Sequence, residues 1–137
     1  METTFRTNSK EFEVLRRLIT EDSSTGLVTS VSEDRTDPDS KEAFRRGLSP
    51  ERLEVYRRLL RQLRLRGVGR DGNDILFQAI ATGWLMKANY KGYLYTKDKL
   101  QRHIETTLDG VGEIKCGSLL VKPLQEYWYL YSFKDCP

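Results

Sequence analysis

Apolar positions follow helical spacing through the first half of the chain and shift toward alternation in the second. Phe12, Leu15, Leu18 and Ile19 come after Ser9 at three- and four-residue steps, which predicts a helix over residues 9–21 with Ser9 as its N-cap. Residues 22–40, rich in Ser, Thr and Asp, read as an acidic, polar, mobile connection. Within it, Gly26 to Val31 supply a brief strand. After a short helical lead-in around Lys41 to Arg46, the pattern predicts a helix over 49–66. Ser49 caps it, Pro50 takes the first helical position, and Glu51 suits the positive end of the helix dipole. Leu53, Tyr56, Leu60 and Leu63 form its buried stripe, widened by Leu59, and Gly67 is expected to stop it.

Beyond Gly67 the period approaches two. Residues 74–81, 84–89 and 92–96 read as three short strands, with Gly72–Asn73, Thr82–Gly83 and Lys91–Gly92 as turn signals. Helical spacing returns over 97–108 through Leu100, Ile104 and Leu108. Three further strands are expected near 113–116, 119–122 and 127–133, with Pro123 marking an edge or a turn. The predicted fold is α+β: N-terminal helices followed by an antiparallel β-meander, with one further helix packed on the sheet, in a single domain spanning residues 1–137.

Composition narrows this picture. The 137 residues fit one domain, and five Phe, two Trp and seven Tyr can fill a core although only 38% of positions are hydrophobic. A collagen, a disulfide scaffold, a repeat array and a membrane channel are excluded. The longest largely apolar stretch, Ile75 to Met86, is interrupted by Gln78, Thr82 and Gly83, and falls short of the roughly 20 residues a spanning helix needs. No apolar run follows a basic start, so no secretory leader is expected. Cys116 and Cys136 read as reduced thiols, which suits a cytoplasmic protein.

Charge is distributed unevenly. Residues 1–40 carry five basic and nine acidic side chains, residues 41–70 carry ten and three, and residues 71–137 carry eight of each. The net charge of +3 therefore hides segments of −4, +7 and 0. The positive block falls on the second helix, where Arg57, Arg61 and Arg64 recur at i, i+4 and i+7 beside Arg58. Every cation of the block except Lys41 is Arg, the residue suited to bidentate contact with carboxylate or phosphate. Such a row presents either an anion-binding surface or a solvated face paired internally with Glu51 and Glu54.

Aromatic residues make the second cluster. Tyr127, Tyr129, Tyr131 and Phe133 alternate along the last strand, and Tyr93 and Tyr95 do the same downstream of Lys87 and Lys91. Trp128, Leu130 and Leu94 are the candidates to pack under the helices. That arrangement leaves a face of Tyr and Lys resembling the sheet platforms that stack unpaired bases.

Motifs that carry chemistry are weak by comparison. Gly67-Val68-Gly69-Arg70-Asp71-Gly72 spells G-x-G-x-x-G, but it follows a helix and precedes a strand, the reverse of a dinucleotide fold. Asp37 and Asp39 lack the third ligand and the Gly of a calcium loop, since Lys41 and Glu42 stand there. His103 is the sole histidine, and Glu105 two residues on does not share its helix face. No cofactor and no metal is expected. The leading expectation is a non-enzymatic module binding a protein partner or a second copy of itself, with no membrane role. Nucleic-acid binding through the Arg helix and the tyrosines is the second, and a metal-free ribonuclease using His103 the third.

Overall fold

The computed structural model describes residues 1–22, 27–32, 35–84, 87–97 and 119–135. Its helices are α1 (Glu2–Thr7), α2 (Ser9–Glu21), α3 (Ser40–Arg45) and α4 (Pro50–Gln62). Its strands are β1 (Leu27–Ser32), β2 (Arg35–Asp37), β3 (Gly67–Asp71), β4 (Asp74–Trp84), β5 (Lys87–Tyr95), β6 (Leu119–Gln125) and β7 (Trp128–Asp135). The strands form one antiparallel sheet in the order β2-β1-β3-β4-β5-β7-β6. The fold is α+β, with helices preceding most of the sheet. The helix expected over 97–108, the strand near 113–116, His103 and both cysteines lie outside the described residues.

Residues facing one another across neighbouring strands share a face of the sheet. One row therefore runs Val28, Val68, Phe77, Tyr93 and Leu130 across five strands, and the row beside it runs Ile75, Tyr95 and Trp128. Onto these rows pack Phe5 of α1, Phe12, Leu15 and Ile19 of α2, and Leu53, Tyr56 and Leu60 of α4. Phe12 sits at the centre, with ring centroids 4.6 Å from Tyr93, 5.8 Å from Phe77 and 6.0 Å from Trp128. Aromatic contacts of this kind are worth about 0.5–1.5 kcal/mol each beyond the area they bury. Lys122, opposite Leu130 at the sheet edge, pairs with Glu2 of α1, and the Tyr93 hydroxyl donates to the Met1 carbonyl at 3.0 Å. The opposite face carries a smaller cluster of Leu94, Val121 and Tyr131, flanked by half-buried Leu76, Tyr129 and Phe133.

Several local expectations are corrected. Asn8, not Ser9, precedes α2, and its side chain donates back to the Thr4 carbonyl of α1. The segment 22–40 carries the paired strands β1 and β2 and buries Thr36, so it is not merely a mobile connection. α4 starts as expected, the Ser49 hydroxyl accepting from the Arg52 N–H at 3.1 Å, but it ends at Gln62. There Arg64 adopts a left-handed backbone (φ 54°) and the Leu65 N–H reaches the Leu60 carbonyl at 2.8 Å. That closure is of the Schellman kind. Gly67 instead opens β3, so the G-x-G-x-x-G string is a strand and a turn, with Gly72 (φ 62°) in the turn.

The central strands are also longer than expected. Thr82 and Gly83 pair with Asn89 and Ala88 inside β4 and β5, and Lys91–Gly92 lies within β5. β4 bulges between Gln78 and Ile80 opposite Gly92 and Lys91. The glycine there serves a close approach of backbones instead of a turn. Pro123 lies on β6, an edge strand, as its missing N–H requires.

Candidate binding surfaces

The rows of the sheet decide where each tyrosine goes. Tyr93 and Tyr95 are 2% and 9% exposed beneath α1 and α2, so the expected solvent-facing position of this pair is corrected. Leu94, expected under the helices, belongs to the opposite face. Tyr131 is on that face too but only 6% exposed, and Tyr129 beside it is half-buried. Lys91 is half-buried within β5, and the Lys87 side chain lies outside the described ones. No continuous plane of exposed Tyr and Lys is built from these residues. Trp128 and Leu130 do pack under the helices as expected.

Tyr127 is the exception. It is 40% exposed, at the two-residue turn joining β6 to β7, with a left-handed backbone (φ 69°) unusual for a bulky residue. Its carbonyl accepts from the Thr96 N–H at 2.9 Å, and its ring lies 6.1 Å from Tyr95 at 69°. The Lys97 ammonium lies 5.9 Å from the same ring, and Arg16 sits 4.8 Å over Tyr95. The neighbouring Glu126 carboxylate raises the Tyr127 phenol above its ordinary range. Arg16 and Lys97 were not singled out by sequence, because their contacts join segments remote along the chain.

The Arg-rich helix keeps its polar side outward. Arg58, Arg61 and Arg64 are exposed, while Arg57 is half-buried and pairs with Glu54 at 3.3 Å. The Arg57 Nε is buried without a hydrogen-bond partner. At the start of α4, Arg52 reaches Asp22 at 2.9 Å and Glu21 at 2.7 Å, both at the end of α2. Tyr56 donates to the same Asp22 oxygen at 2.7 Å. Two acids ending α2 and a cation beginning α4 each oppose their own helix dipole, and here they neutralise one another. The hydrogen bonds that Arg52 donates to these carboxylates hold it firmly protonated, and burial followed by the Asp22 carboxylate pushes the Tyr56 phenol well above its ordinary range. Replacing Asp22 by Ala is expected to cost about 2 kcal/mol by stranding the buried Tyr56 hydroxyl. A loss below about 0.5 kcal/mol in urea unfolding would show that water replaces the carboxylate.

α4 packs on one face of the sheet, whereas Tyr129 and Tyr131 lie on the other. Tyr127 lies past the Ile75–Tyr95–Trp128 row, while Arg64 lies beyond the Gly67–Gln78–Gly92–Tyr131 end. The two clusters found by sequence are therefore separate surfaces. Among the described residues no group of three His, Cys, Asp or Glu is placed to hold a metal ion, and no helix is long and apolar enough to cross a membrane. No protein-family model, curated protein or solved structure matches this chain.

Proposed function

We propose that this protein is a non-enzymatic binding module that docks an acidic protein partner through the outward side of α4. The observation that carries this reading is a difference in pairing along the Arg row. Arg45, Arg46, Arg52 and Arg57 each meet a carboxylate of the fold, whereas the exposed Arg58 and Arg64 form no ion pair among the described residues. Arg is prominent among the residues that anchor protein interfaces.

Two features favour a protein over a nucleic acid. The same outward side carries exposed Glu51 and Glu54, which interrupt the continuous positive field that a polyphosphate backbone needs. Single-strand binders also set aromatic rings along their basic groove, whereas Tyr56, the tyrosine of α4, is buried.

The test measures fluorescence anisotropy of a labelled oligoglutamate peptide, a single-stranded RNA and a duplex DNA at rising salt. The expected result is peptide binding at low salt that falls at least tenfold in Arg58→Glu/Arg61→Glu, with weaker binding of both oligonucleotides. Tighter oligonucleotide binding with a steep salt slope would replace this reading with nucleic-acid recognition. Binding of none of the three probes would sink it.

A further inference from the structure

We infer that Arg64 is a dedicated contact of this anion-docking surface, a role that rests on the function proposed for α4. Its backbone conformation is imposed from both sides. Leu63 and Leu65 are buried at 1% and 5% exposure, and the Leu65 N–H is bonded to the Leu60 carbonyl, so residue 64 must bridge them in the left-handed region (φ 54°). Helices that close this way favour Gly at that position, because any Cβ there is disfavoured. The chain carries Arg instead.

Nothing among the described residues accounts for that side chain. Arg64 is exposed and its guanidinium makes no hydrogen bond or ion pair among the described residues. Its backbone N–H donates to the Arg61 carbonyl at 3.2 Å, but among the described residues its side chain caps no carbonyl, and its Cβ disfavours the conformation it occupies. Non-glycine residues held in this conformation by their surroundings occur at binding and active sites. Arg64 also follows the exposed Arg58 and Arg61 in the chain, two residues past the last residue of α4. A guanidinium there can engage a partner carboxylate with two parallel hydrogen bonds, a geometry an ammonium lacks. The left-handed backbone fixes the direction in which the Cα–Cβ bond leaves the helix end.

The test pairs stability with affinity for the same labelled oligoglutamate peptide. Arg64→Gly is expected to raise the thermal midpoint by about 2–4 °C and weaken peptide binding about fivefold. Arg64→Lys should leave the midpoint unchanged and recover less than half of the lost affinity. Arg6→Gln, which removes the same charge from α1, should change binding by less than twofold. Arg64→Gly that stabilises the protein without weakening binding overturns the assignment of Arg64. If Arg58→Glu/Arg61→Glu still abolishes binding, the function proposed for α4 survives that result. A lower midpoint in Arg64→Gly would show that the side chain supports the fold, and it too overturns the assignment. Equal weakening by Arg6→Gln would reduce the effect to net charge and has the same consequence.

Discussion

Gly92→Ala is expected to destabilise the protein by about 3 kcal/mol or more, although it adds a single methyl group. A Cβ on Gly92 would lie 2.0 Å from the Phe77 carbonyl oxygen, 3.0 Å from the Phe77 carbonyl carbon and 2.9 Å from Cε1 of Tyr131. The tyrosine ring can swing aside, but the Phe77 carbonyl belongs to the backbone of β4. Moving it means parting β4 from β5 beside the bulge at Gln78–Ile80, in the middle of the sheet. The Phe77 side chain would move with it, and that ring packs against Phe12 and Trp128 in the main core. Reduced freedom of the unfolded chain returns only about 0.4–1 kcal/mol, too little to change the sign. Urea unfolding should show a lower midpoint with an unchanged slope. A loss below about 1 kcal/mol would mean that the bulge absorbs the methyl group and that the close approach is not obligatory.

Gly92 also shows why the sheet was harder to read than the helices. In α2 and α4 each buried residue sits at a three- or four-residue step, so the stripe, the Ser49 cap and Pro50 state the element outright. α1 escaped because it has one buried residue in six, Phe5, which makes no stripe. A glycine in an alternating run reads equally as a turn or as a close contact, and tertiary pairing alone separates the two. Hence three short strands were expected where β4 and β5 run long. β3 was hidden because two of its five residues are Gly, leaving Val68 as its apolar signal.

Alternation gives two faces without saying which one meets the helices. In β5 both faces are buried, by Tyr93 and Tyr95 on one side and Leu94 on the other, so hydrophobicity could not choose. Register against Phe77 and Trp128 makes the choice. Of the candidate site, the Arg row was legible because it is local to one helix. The Asp22–Arg52–Tyr56 cluster was not, because its partners lie 30 and 34 positions apart.

The second large effect is a loss of stability at alkaline pH. Tyr56, Tyr93 and Tyr131 are buried, and burial pushes the Tyr93 and Tyr131 phenols up to about 12. Tyr56 is raised further still, by burial and by its bond to the Asp22 carboxylate. In the unfolded chain the same phenols ionise near pH 10. The folded state thus holds more protons than the unfolded state above that pH, and stability falls as pH rises. The contribution is complete below about pH 10 and is lost as pH climbs through the folded values near 12. Each phenol contributes a slope of about 1.4 kcal/mol per pH unit in that window, so three together give about 4 kcal/mol per unit. Over the two units from pH 10 to pH 12 the three phenols together remove about 8 kcal/mol, so a domain near the lower end of ordinary stability, about 5–8 kcal/mol, should unfold by about pH 12. Urea unfolding followed in steps from about pH 9 to pH 11.5, with tyrosinate absorbance recorded alongside, measures the slope. Tyr131→Phe should make it about one-third shallower, since one of the three titrating groups is gone. A flat profile across this range, or full tyrosinate absorbance appearing while the protein is still folded, would show that water reaches these phenols in the native state.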